Sequence, residues 1–111
     1  MARYGQAKKY HDYRKMLDEL DRRIDAVVVS TPDHNHAPVS VAAMRRGKHV
    51  YCEKPGANSV FEARMLAKVA AEQKVATQQG NQGMATDSFR RTLELVQEGA
   101  IGEILEAHVW Y

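Results

Sequence analysis

The sequence predicts an α/β chain built on part of a doubly wound parallel sheet, and three observations carry that expectation. Short apolar runs recur at similar intervals with helical stretches between them, which is the pattern of βαβ repetition. The clearest of these runs, AVVV, is β-branched and lacks the polar alternation of a strand with one wet face. Each run is also followed by a polar loop holding proline, asparagine or glycine, the residues that turn a chain.

The elements follow in order. In DYRKMLDELDRR the apolar Tyr13, Met16, Leu17 and Leu20 share one helical face, and Asp12 stands at the N-cap. Ala26 to Val29 is expected to be a parallel strand buried on both faces. After the loop STPDHNH, Pro38 lies near the start of a second helix carrying Val39, Ala42 and Ala43, and Gly47 stands where a left-handed C-terminal cap belongs. HVYC is the second strand. Beyond CEKPGAN, Ser59 and Glu62 form a capping-box pattern that starts a third helix with Val60, Ala63, Leu66, Ala67 and Ala70 at its apolar positions. A third strand is expected around Val75 to Gln79, ended by GNQG. A fourth helix, about Asp87 to Glu98, is expected to turn Phe89, Leu93 and Val96 inward and to stop at Gly99, before a last strand in EILEAHVWY.

Composition narrows the function. A chain of 111 residues can bury roughly two-thirds of its unfolded surface around a single core. The 16 basic and 14 acidic residues are interspersed rather than gathered into a stripe, so no nucleic-acid partner is expected. No apolar run approaches the ~20 residues that cross a bilayer, so no membrane partner is expected. Cys52 is the single cysteine and can form no intrachain disulfide, and the first residues lack the apolar stretch of a secretory signal. A cytoplasmic location is the expectation.

In doubly wound folds, ligands bind beyond the carboxyl ends of the strands. STPDHNH, CEKPGAN and QGNQG each follow a strand, so all three loops are expected on one rim. Thr31-Pro32 and His36 after DAVVVSTP, then GKHVYCEKP, then Gly80-Asn81-Gln82 at a strand end, together resemble the Gfo/Idh/MocA family, the glucose-fructose oxidoreductase and inositol dehydrogenase-like enzymes. The resemblance runs from about Tyr10 to the C-terminus. It implies a Rossmann domain that binds NAD or NADP, and a second α+β domain where a sugar-like or polyol alcohol is oxidised or reduced. It further implies an internal piece of a longer enzyme, lacking its first βαβ segment, since none of the seven glycines falls in a G-x-G-x-x-G setting. Residues 1–101 are then a partial Rossmann domain, and residues 102–111 begin the substrate and oligomerisation domain. Such a chain is expected to be inactive alone and to belong to a homo-oligomer acting on a small sugar-like molecule.

The resemblance also assigns site residues. Lys54 is the catalytic candidate, lying beside the nicotinamide ribose and the reacting carbinol, where an ammonium stabilises developing alkoxide charge or passes a proton. Glu53 contacts the same ribose and orients Lys54, Thr31 and Pro32 pack along the cofactor, and His36 and Asn81 border its nicotinamide end. The residues alone say less. Pro55 restricts Lys54 to extended angles, and a proline turn, with a cis bond or without one, brings Glu53 and Lys54 to the rim together. Against the functional reading, a Glu-Lys pair at a strand end is usually a solvated charge pair, His36 can simply cap the next helix, and Asn81 and Gln82 can serve only their turn. His34 and His36 have H-x-H spacing but no further ligands, so no metal is expected. Cys52 is read as a buried structural thiol. The alternative function is a non-catalytic α/β assembly module that pairs through an exposed sheet edge.

Overall fold

The computed structural model describes residues 4–110. Its elements are α1 (Tyr13–Leu20), β1 (Ala26–Val29), α2 (His36–Met44), β2 (His49–Glu53), α3 (Val60–Gln73), β3 (Thr77–Gly80) and α4 (Asp87–Gln97), with 3-10 turns at Asp33–Asn35 and Gln82–Ala85. They form two compact units, the first ending at Gly80 and the second beginning at Asn81.

In the first unit the sheet runs β1-β2-β3 with both pairs parallel. Val27 lies opposite Val50 and Val29 opposite Cys52, while Cys52 faces Gln79 and Glu53 faces Gly80. Helix α2 packs on β1 and β2, and α3 packs on α2. The core gathers Leu17 of α1, Val27 and Val29 of β1, Met44 of α2, Val50 and Cys52 of β2 and Val69 of α3. Cys52 is only 7% exposed, and its thiol is free.

Local signals account for the helix ends. The Asp12 carboxylate accepts hydrogen bonds from the guanidinium and the backbone N–H of Arg14, which hold its carboxyl below the usual carboxylate range. Ser59 Oγ accepts the N–H of Glu62 at 3.2 Å. The Glu62 carboxylate reaches back one residue further than a capping box requires, accepting the N–H of Asn58 at 2.7 Å. Gly47 closes α2 with φ of 71°, the left-handed geometry expected of it. Lys74 adopts φ of 54° at the end of α3 without the freedom of glycine, and its N–H bonds the carbonyls of Ala70 and Ala71.

Three expectations need correction. β1 is buried on one face only: Val27 and Val29 are covered, but Val28 is 69% exposed, because the packed helices all lie on the other side of the strand. An uninterrupted β-branched run calls for a second covering layer that the first unit does not supply among the described residues. In α4, Phe89 and Leu93 do lie on one face, but they are 39% and 47% exposed and no residue of the helix is buried. Finally, residues 103–110 form no strand. EILEAHVWY has the composition of one, but a ladder needs a partner to take its backbone groups, and among the described residues none pairs with it.

Two outcomes are expected. With one edge of β1 unpaired among the described residues and Val28 exposed beside it, the 111-residue chain should elute from size-exclusion as a dimer or larger, and Val28→Lys should shift it toward smaller species. A monomer with a cooperative thermal transition would count against this. Ser59→Ala should cost about 1 kcal/mol in urea unfolding through loss of the α3 cap.

Candidate functional site

The parallel ladder decides where the loops leave the sheet. Because Val29 pairs with Cys52 and Glu53 with Gly80, the carboxyl ends of β1, β2 and β3 finish along one edge. The first loop carries Thr31 and Pro32, both exposed, and then tightens into the Asp33–Asn35 turn, where the N–H of Asn35 donates to the Pro32 carbonyl at 2.8 Å. The second begins at Glu53, half-buried, and Lys54, exposed, and turns through a cis Lys54–Pro55 peptide bond. Asn81 is exposed, follows directly on Gly80 and opens the second unit at the head of its own 3-10 turn.

His36 is placed differently from its neighbours. It is the first residue of α2, yet it does not cap that helix: the N-cap position is Asn35, whose side chain makes no capping bond. The imidazole is 1% exposed. Its Nδ1 lies 2.5 Å from the Pro55 carbonyl oxygen, and its Nε2 lies 2.7 Å from that of Thr31. Thus the two loops of the first unit meet through one buried ring, while Thr31, Pro32 and Lys54 stay open to a ligand.

Tyr51 and Gly80 are parts of the site that the sequence reading overlooked. A Cβ built on Gly80 would stand 3.0 Å from Glu53 Oε2 and 3.0 Å from the Tyr51 hydroxyl, so a carboxylate and a phenol both crowd the face of that glycine. The signal was available in the spacing. Tyr51 and Glu53 are two apart on one strand and point to the same face, and the residue paired with Glu53 in the next strand must leave room for them.

An exposed ammonium, a half-buried carboxylate and a phenol at one strand end suit a polar ligand with several hydroxyls. A dinucleotide fits this rim in part. Its diphosphate needs a glycine-rich turn opening a helix, and no such turn occurs in the sequence.

The crowding at Gly80 gives a local test. Gly80→Ala should lower stability by about 1 kcal/mol, because the Glu53 and Tyr51 side chains must move a few tenths of an ångström. Gly83→Ala, with nothing within 4 Å, should leave stability unchanged or slightly raised in the same urea titration.

Comparison with known proteins agrees with this geometry. The chain is 31% identical over 103 residues to levoglucosan dehydrogenase from Pseudarthrobacter phenanthrenivorans, covering 93% of this chain and 26% of that protein. It is 34% identical over 94 residues to 2,7-anhydro-N-acetylneuraminate hydratase from Escherichia coli, covering 83% and 25% respectively. Among solved structures, myo-inositol 2-dehydrogenase from Lactobacillus plantarum superposes with a TM-score of 0.74 at 32% identity, over 86% of this chain and 28% of that one. An inositol dehydrogenase homolog from Azotobacter vinelandii, complexed with NADH and myo-inositol, superposes with a TM-score of 0.73 at 31% identity, over 86% and 26%. The chain therefore spans about a quarter of the length of the relatives it matches. Residues 1–81 match the oxidoreductase family described by an NAD-binding Rossmann fold, and with that match over most of its length the chain belongs to the Gfo/Idh/MocA family.

Proposed function

We propose that this chain forms the nicotinamide-side rim of an NAD(P)-dependent oxidoreductase acting on a sugar- or polyol-like alcohol. The single observation that carries the reading is the shared edge: the register sets the loop of Thr31 and the turn of Lys54 at the carboxyl ends of adjacent strands. The names of the relatives, a levoglucosan dehydrogenase and inositol dehydrogenases, support the substrate class. In this reading residues 1–101 belong to the cofactor domain and residues 102–111 begin a substrate domain, and the segment alone does not turn over. The whole enzyme is a homo-oligomer.

The bound nicotinamide would supply the hydride acceptor or donor. Lys54, at the exposed end of β2, holds its ammonium where alkoxide charge develops on the substrate oxygen, and takes up or releases the proton there. Glu53, whose carboxylate lies close over Gly80, would accept from a ribose hydroxyl. Thr31 and Pro32 would pack along the cofactor from the neighbouring loop, and Asn81 follows directly on the end of β3.

A second reading has its own observation. The edge of β1, unpaired among the described residues, and the exposed Val28 favour an assembly module that pairs strand to strand without catalysis. NADH titration followed by fluorescence anisotropy separates the two. Saturable binding, with Kd on the order of 1 mM because the phosphate cradle is missing, is expected for the cofactor rim, and Lys54→Met should weaken it about tenfold. A stable oligomer with no saturable binding would favour assembly.

A further inference from the structure

His36 offers nothing to a ligand, being 1% exposed, yet both of its nitrogens are engaged by the two loops that do. Its Nε2 meets the carbonyl of Thr31, two residues past the end of β1, and its Nδ1 meets the carbonyl of Pro55, two residues past the end of β2. The ring thus spans the gap between adjacent strand ends at the point where the ladder of β1 and β2 has stopped. We propose that His36 is a positioning residue, a two-ended strut that fixes the Lys54–Pro55 turn against the Thr31 loop and so sets where the Lys54 ammonium stands. The proposal deepens the cofactor-rim reading and rests on it for its functional meaning, though not for its geometry.

Donor accounting makes the strut specific. Carbonyl oxygens only accept, so each contact is a hydrogen bond donated by the ring nitrogen that faces it. A buried aliphatic side chain would fill the same space and hold neither loop. The two carbonyls facing it would lose their common partner. The strut also has a rigid base: His36 heads α2, whose Val39, Ala43 and Met44 are packed into the core, so both loops are referred to the same helix.

The two ends can be cut separately. Counting bonds from Cβ, the amide nitrogen of asparagine falls where Nδ1 is, and that of glutamine where Nε2 is. His36→Asn therefore keeps the link to Pro55 and loses the one to Thr31, and His36→Gln does the reverse. In 1H–15N spectra of the 111-residue chain, His36→Gln should displace the amides of Lys54 and Gly56 while leaving those of Thr31 and Asp33 near their original positions. His36→Asn should give the opposite pattern. With NADH as the probe, His36→Gln should weaken binding about tenfold and His36→Asn by much less, because only the first releases the turn that carries Lys54. Equal disturbance of both loops by both variants, or of neither, would overturn the proposal in favour of simple space filling. A third measurement needs no variant: a slowly exchanging ring N–H resonance should belong to His36, and finding none would overturn the strut even if neither variant folds. If the wild-type chain fails to bind NADH while the crossed amide pattern holds, the cofactor reading fails and the strut stands.

Discussion

Parallel pairing in a single register is the constraint on which the rest of the structure depends. Each strand must be followed by a crossover that returns the chain to the starting edge, so every departure from the sheet occurs on the same side. The Thr31 loop and the Lys54 turn share that side because of the ladder, and not through attraction between their side chains. Register has an equally firm cause. Sliding β2 by one residue would carry Val50 and Cys52 out to solvent and drive Tyr51 and Glu53 under the helices, replacing two apolar groups with a phenol and a carboxylate. The hydrophobic pattern of one five-residue strand therefore sets the position of a charged turn.

Much of this was legible in the chain itself. Asp12, Ser59 and Gly47 are local signals whose meaning needs only neighbours a few residues away, and the helix ends stand where those residues put them. AVVV was read as a strand correctly, but whether its second face is covered depends on what else packs there, which a four-residue run does not state. EILEAHVWY shows the same gap between composition and outcome, since strand formation is a property of pairs. In the candidate site, the positions of Thr31 and Lys54 just past the strand ends could be read from the sequence because motif and strand end coincide. The place of His36 could not, because its partners are a carbonyl five residues before it and another nineteen residues after it, and backbone carbonyls leave no mark in a sequence. The closeness of Tyr51 and Glu53 to Gly80 follows from the two-residue period of a strand and the space that the Glu53 side chain requires.

The relatives give this segment its place in a larger design. Proteins named as dehydrogenase, hydratase and reductase match it at similar identity, and each match covers between a quarter and a third of the relative. A piece common to differently named activities encodes what they hold in common, and the family description assigns that to the NAD-binding fold.

The thiol of Cys52 has a practical value that follows from its position. It sits on the helix-covered face of the central strand, among Val29, Met44 and Val50, and it is the sole cysteine in the chain. At 7% exposure it should react slowly with an alkylating reagent while the helices stay packed, so its modification rate would report the breathing of the domain at one defined place, with no competing sulfhydryl to confuse the signal.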